Sequence, residues 1–307
     1  PMIKNLKPLF VSLRPFQWIK NLAVFAAIIF NGKLFDPVLF WQSVAGFFIF
    51  CGLSSASYLF NDILDAPYDR QHPLKKHRPI AKGDLKTDTA AKAAIFLIFI
   101  SLTGALFLKQ SFFFLSLVFV LLHLAYSLVL KKQALFDILG IAASFSLRVF
   151  AGEVLTGYHI PIWLMLSVIF LSLFVATGKR LSEMVAQEGR KTRPALFQYQ
   201  QGLLNFYFST FANATLLSYS LFAFTAQPIE FQEKVFDFLL ASYPQALERK
   251  WLMITIPFVI LGIMRYAQLI YLKQEGEQPE KAFINDKLTL LTVLGWGITV
   301  VFLIYVF

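Results

Sequence analysis

The stretch WQSVAGFFIFCGLSSASYLFNDILDAPYDR, residues 41–70, begins as a nearly unbroken apolar run and ends by presenting Asn61, Asp62, Asp65 and Asp69. About twenty apolar residues in a helix cross the roughly 30 Å hydrocarbon core of a bilayer. Carboxylates at the edge of such a span are costly and mark function by default. The stretch therefore reads as a transmembrane helix that leaves lipid carrying an acidic cluster. On a helix Asn61, Asp65 and Asp69 stand at i, i+4 and i+8, and Asp62 lies three before Asp65 and seven before Asp69, so all four share one face.

The rest of the chain extends this reading. It is 57% hydrophobic with 35 Phe and only 15% charged residues, far more apolar than a soluble domain, so lipid is the solvent for most of it. Nine runs are long enough to span: Leu22–Phe40, Trp41–Phe60, Thr89–Leu108, Phe112–Leu130, Leu135–Leu155, Ile162–Gly178, Leu203–Thr225, Trp251–Leu272 and Leu288–Phe307. Asn31-Gly32-Lys33 and Asp36-Pro37 interrupt the first, which has alternative limits near Phe16 and Asn31. The predicted fold is all-α, a polytopic bundle forming one domain over residues 1–307. Pro1–Lys7 lacks the layout of a signal peptide.

The net charge of +10 sits in short loops between apolar runs, not along a soluble face, which excludes a nucleic-acid partner. With nine spans, one side of the membrane carries Lys4, Lys7, Arg14, Lys20, Arg70, Lys75, Lys76, Arg78, Lys82, Lys131, Lys132, Lys179, Arg180 and further cations as far as Lys287. The other carries only Lys33, Lys109, Lys234, Arg249 and Lys250. By the positive-inside rule the first side is cytoplasmic, and the acidic cluster lies on it. Gln227–Lys250, on the far side, is expected to lie along the interface as an amphipathic helix. The single Cys51 excludes an intrachain disulfide, and the spacing of His72, His77, His123 and His159 does not suit zinc.

Three carboxylates on one face repel unless a cation sits among them, and Mg²⁺ with its preference for oxygen ligands suits the set. The competing reading makes Asp62 and Asp65 helix caps and Asp69 the start of a turn. Pro67 supports it, and implies a kink or break before Asp69. The following His72-Pro73-Leu74-Lys75-Lys76-His77-Arg78-Pro79-Ile80-Ala81-Lys82-Gly83 places cations beside the carboxylates, as a polyphosphate site requires. Arg148 is an arginine inside a span, needing either a substrate phosphate or an acid such as Asp137 or Glu153. Lys131 and Lys132 serve equally as phosphate contacts or topology signals.

At these residues the chain resembles the UbiA superfamily of membrane prenyltransferases, whose N-D-x-x-D-x-x-x-D signature matches Asn61, Asp62, Asp65 and Asp69. It is similar above all to the decaprenyl-phosphate phosphoribosyltransferase branch. That similarity runs through Arg14-Pro15-Phe16-Gln17-Trp18-Ile19-Lys20-Asn21, the basic loop to Gly83, Tyr126-Ser127, Leu147-Arg148, Lys179-Arg180-Leu181-Ser182-Glu183, Arg265-Tyr266, Pro279-Glu280 and Asp286. Where aromatic-accepting relatives carry a second D-x-x-x-D run, this chain has Lys179-Arg180-x-x-Glu183, with Glu188 beyond.

The resemblance implies a Mg²⁺-dependent transfer of 5-phosphoribose from phosphoribosyl diphosphate to a polyprenyl phosphate, in a bacterial cytoplasmic membrane with the site facing the cytoplasm. Asn61, Asp62, Asp65 and Asp69 are the implied metal ligands, with Asp62, Asp65 and Asp69 catalytic. Lys20, Arg78, Lys82, Lys131, Arg148, Lys179, Arg180 and Glu183 are the implied substrate-binding set. The alternative within the family is transfer of an isoprenoid from its diphosphate to an aromatic or other acceptor. A transporter fits less well, because the polar residues gather on one side and not in two related halves. The sequence permits a homo-oligomer without selecting one.

Overall fold

The computed structural model describes residues 2–72, 75–185, 199–226, 240–273 and 285–305, and every regular element among them is helical. Pro73, Leu74, Glu188, Lys234, most of the Gln227–Lys250 segment and Pro279-Glu280 lie outside the described residues.

Helix α1 covers Met2–Leu13. Arg14 then adopts a left-handed backbone (φ 53°, ψ 59°), and Pro15 opens a 3₁₀ stretch, Pro15–Phe25, that passes into α2, Ala26–Phe30. At about 2.0 Å per 3₁₀ residue and 1.5 Å per α residue, the two together rise roughly 30 Å. The first expected span is thereby corrected. Leu22–Phe40 is not one helix, and the alternative limits near Phe16 and Asn31 describe it better. Its second half is used otherwise: Gly32 turns at φ 67°, and Asp36 caps the next helix by accepting from Val38 N (2.9 Å) and Leu39 N (3.1 Å). Pro37 occupies the first helical turn, where its missing N–H costs nothing.

That helix, α3, runs 33 residues from Pro37 to Asp69, about 50 Å. It exceeds the hydrocarbon core by about 20 Å, and Asn61–Asp69 lie in the excess. Pro67 does not end it: the helix runs two residues further, and Arg70 N bonds the Ala66 carbonyl at 3.2 Å. Then come α4 (Pro79–Lys82), which ends on Gly83 at φ 90°, α5 (Thr87–Leu108), α6 (Gln110–Leu128), a 3₁₀ turn at Leu130–Lys132, and α7 (Phe136–Thr156). Among the described residues the remaining α-helices are α8 (Ile162–Val185), α9 (Gln201–Thr225), Ile256–Gln268 and Lys287–Tyr305. Seven described runs are long and apolar enough to cross a membrane. Helix α9 has the length for another span, but Asn205, Ser209, Thr210 and Asn213 dilute its apolar sequence.

The described residues fall into two compact units, Pro1–His159 and Ile160–Gly189 with Tyr199–Phe307. In lipid, burying an apolar side chain gains little by transfer, so close packing and small residues hold helices together. In the first unit Phe50 packs on Phe119 (ring centroids 4.8 Å apart) and Phe112 (5.8 Å). Gly152 lets α7 meet the 3₁₀ stretch backbone to backbone, since a Cβ there would lie 2.0 Å from the Val24 carbonyl oxygen. Outward-facing Phe96, Phe99 and Phe107 are exposed, as lipid-facing residues should be.

In the second unit Phe174 stacks on Phe208 at 4.4 Å, and the Tyr266 hydroxyl donates to the Val175 carbonyl at 3.2 Å. Trp296 Nε1 donates to the Tyr219 hydroxyl at 2.7 Å, which in turn bonds Thr255 Oγ1 at 2.7 Å. Asp286 starts the last helix by accepting from Thr289 N (3.0 Å) and Oγ1 (2.8 Å), and is gripped by Arg265 Nη2 (2.5 Å) and Nε (2.9 Å). The Arg265 hydrogen bonds hold the Asp286 carboxyl well below the usual carboxylate range, and Thr289 adds to them.

Candidate active site

The end of α3 carries three carboxylates, and three cations from three separate segments meet them. Arg14 Nη2 lies 2.6 Å from Asp62 Oδ1. Arg78 Nη1, from the loop after α3, lies 3.0 Å from the same Asp62 Oδ1 and 2.7 Å from Asp69 Oδ2. Lys131 Nζ, from the 3₁₀ turn before α7, lies 2.6 Å from Asp65 Oδ1 and 2.9 Å from Asn61 Oδ1. Asn61 Nδ2 closes this group by donating to Asp65 Oδ2 at 2.8 Å. Asp62 and Asp69 are buried and Asp65 half-buried. The helical spacing thus places the four expected ligands together, and the structure divides them into two pairs, each converging on one cation.

Among the described residues no group of three His, Cys, Asp or Glu side chains forms a ready metal cage. Magnesium does not need one, since it binds through one or two carboxylates with water and substrate phosphates. Asn61 Oδ1 and Asp65 Oδ1 already converge on one positive atom, Lys131 Nζ, and hard oxygens aimed at one cationic centre fit such an ion. Asp62 and Asp69 flank them, drawn together by Arg78.

Lys20 Nζ bonds Gln17 Oε1 at 2.6 Å, and the Tyr58 hydroxyl donates to the same oxygen at 3.2 Å, which ties Lys20 to α3. Lys82, expected at the phosphates, instead places Nζ 2.8 Å from Asp84 Oδ2, both side chains being exposed. Arg148 is buried in α7 among neutral groups. Nε donates to Asn21 Oδ1 (2.7 Å), Nη1 to Ser144 O (2.5 Å) and Oγ (2.8 Å), and Nη2 to Ser54 Oγ (3.2 Å). Its guanidinium also lies 4.8 Å from the Phe119 ring centre. Of the acids that were its alternative partners, Asp137 accepts from the Tyr126 hydroxyl at 3.3 Å and Glu153 bonds His159 Nδ1 at 2.9 Å. In the second unit, buried Arg180 pairs with Glu183 one turn along α8, and Lys179 is half-buried beside it.

Sequence reasoning missed Arg14 as a site residue. Its available signal was a cation placed directly before Pro15 at the polar-to-apolar boundary.

The UbiA prenyltransferase family matches residues 22–291. A decaprenyl-phosphate phosphoribosyltransferase from Mycolicibacterium smegmatis is 35% identical over 95% of this chain and 91% of its own length. The enzyme of the same name from Corynebacterium glutamicum is 33% identical over 96% of this chain and 86% of its own. Among solved structures, a UbiA homolog from Archaeoglobus fulgidus bound to GPP and Mg²⁺ superposes with a TM-score of 0.69 at 18% identity, covering 96% of this chain and 99% of that one. This chain, a multi-pass α-helical membrane protein, belongs to the UbiA prenyltransferase family and is closely related to the actinobacterial decaprenyl-phosphate phosphoribosyltransferases.

Proposed function

We propose that the protein transfers 5-phosphoribose from phosphoribosyl diphosphate to the phosphate of a long polyprenyl phosphate, releasing diphosphate. The observation that carries this reading is the α3 acidic face with its three matching cations, on a chain similar along nearly its whole length to enzymes named for that reaction. Asn61 and Asp65, flanked by Asp62 and Asp69, would hold Mg²⁺, which when bound neutralises the leaving diphosphate.

The chain's own residues supply the rest. Arg78 and Lys131 can exchange carboxylate oxygens for phosphate oxygens, Arg by forked contact and Lys as a point charge. An oxygen of the acceptor phosphate bonds to the ribose C1 as the bond from C1 to the diphosphate oxygen breaks, and the electron pair leaves with diphosphate. Positive charge developing on the sugar is stabilised by the neighbouring carboxylates, as in glycoside chemistry. The acceptor phosphate is already ionised at neutral pH, so no general base is required. Lys20, and in the second unit Lys179 and the Arg180–Glu183 pair, are the further substrate-binding candidates. The positive-inside bias orients the acidic face toward the bacterial cytoplasm, where a water-soluble sugar diphosphate is available.

The test supplies radiolabelled phosphoribosyl diphosphate, polyprenyl phosphate and Mg²⁺ to the purified protein. A labelled lipid forms, and EDTA or Asp65→Asn abolishes it. Isoprenoid transfer from a prenyl diphosphate to an aromatic acceptor, with no labelled lipid, would overturn the reading.

A further inference from the structure

Arg14 holds its backbone at φ 53°, ψ 59°, a left-handed conformation that glycine adopts freely and that costs a residue such as arginine free energy. Among the described residues, Arg14 and Leu135 are the two with positive φ other than glycine. Such strain persists only where the surroundings over-determine it, and here α3 does so through Ser55, Tyr58 and Asp62, spaced i, i+3 and i+7 on one face. Ser55 Oγ donates to the Leu13 carbonyl at 2.9 Å and accepts from Trp18 Nε1 at 3.0 Å. Tyr58 bonds Gln17, and its ring centre lies 5.0 Å from the Arg14 guanidinium carbon. Asp62 Oδ1 then takes Arg14 Nη2 at 2.6 Å.

Leu13, Arg14, Gln17 and Trp18 are therefore fastened along one face of α3, and the strained residue is the one whose side chain reaches the acidic site. Arg14 and Arg78 both grip Oδ1 of Asp62, while Oδ2 receives no hydrogen bond from any described residue.

Resting on the phosphoribosyl-transfer reading, we propose that Arg14 is a positioning residue of the donor site. Together with Arg78 it fixes Asp62 by one oxygen and would leave the other for the divalent cation that carries the donor's diphosphate. The left-handed turn at Arg14 brings a guanidinium to Asp62 from the segment before α3, where Arg78 brings one from the segment after it.

The test separates backbone from charge. Full-length Arg14→Gly and Arg14→Lys proteins are compared with wild type by thermal unfolding in detergent, and by binding of Mn²⁺ with inorganic diphosphate, read from the electron spin resonance of free Mn²⁺. Glycine relieves the left-handed strain, so Arg14→Gly unfolds at or above the wild-type temperature yet binds Mn²⁺ and diphosphate at least about tenfold more weakly. Arg14→Lys keeps the charge and the strain, so it unfolds below Arg14→Gly but binds within about threefold of wild type. The two properties must rank the variants oppositely. The same ranking for both, wild-type binding by Arg14→Gly, failure of Arg14→Gly to fold, or no binding by the wild type each overturns the assignment. The readout involves no turnover. Wild type that binds Mn²⁺ and diphosphate but forms no labelled lipid sinks phosphoribosyl transfer alone.

Discussion

Lys131 and Asp65 meet at 2.6 Å across 66 residues of sequence, joining the turn before α7 to the acidic end of α3. The same ammonium takes Asn61 Oδ1, so one side chain neutralises the pair best suited to a divalent ion. Replacing it should therefore act on donor binding. Lys131→Met is expected to raise KM for phosphoribosyl diphosphate at least about tenfold, the value of one charge-assisted contact of about 1.4 kcal/mol. Lys131→Arg should recover part of the loss. Initial rates at varied donor concentration decide this, and an unchanged KM in Lys131→Met removes the residue from the donor site.

Arg78 is shared by Asp62 and Asp69, and it is the cation bound to Asp69 among the described residues. Arg78→Ala leaves Asp69 buried without that partner, which costs more than the pair itself contributes. The variant should lose at least about tenfold in kcat/KM and unfold several degrees lower. Adding Asp69→Asn should restore much of the unfolding temperature, because it removes the uncompensated charge, and none of the activity. Thermal melts of the single and double variants check this, and strictly additive melting shifts would refute the sharing of Arg78.

Apolar run length and helical spacing are periodic properties, and they survive in a bare sequence. Hence seven of the eight spans after the first, and the common face of Asn61, Asp62, Asp65 and Asp69, were legible. The first span was misplaced because composition does not distinguish a continuous helix from a 3₁₀ stretch, a glycine turn and a fresh cap at Asp36. Arg14 was hidden for a similar reason, since its contact with Asp62 depends on one left-handed residue and spans 48 positions. The ion pair of Lys82 with Asp84 was not legible, as a basic loop does not announce which neighbour takes its ammonium. For Arg148 the sequence offered a substrate phosphate or an acid, and the partners in the fold are an asparagine and two serines that carry no charge signal.

Gly152 tests whether the first unit depends on backbone contact. A Cβ there would lie 2.0 Å from Val24 O and 2.9 Å from Val24 C, atoms that cannot rotate away as a side chain can. Gly152→Ala should lower the unfolding temperature sharply or prevent folding. Gly202→Ala, at the start of α9 with nothing within 4 Å of the added Cβ, should leave it unchanged or slightly raised. Melting curves of the two variants in the same detergent make the comparison, and equal effects would show that α7 and the 3₁₀ stretch do not need their close approach.

Arg148 raises the question of what a buried cation in a membrane span is for. Placing an arginine at the centre of a span costs about 2.5–3.5 kcal/mol on insertion scales, and no carboxylate is bonded to this one among the described residues. A phosphate-binding arginine keeps donors for its ligand, whereas four bonds from Arg148 go to Asn21, Ser54 and Ser144. Those partners lie on the 3₁₀ stretch, α3 and α7, so the guanidinium ties three segments at one point. A staple and a phosphate ligand separate by measurement. Arg148→Met and Arg148→Lys should both unfold several degrees lower, since lysine lacks the planar fork needed to reach three directions. KM for polyprenyl phosphate should stay near wild type in the folded fraction. Normal stability with a KM raised tenfold or more would instead return Arg148 to the acceptor phosphate.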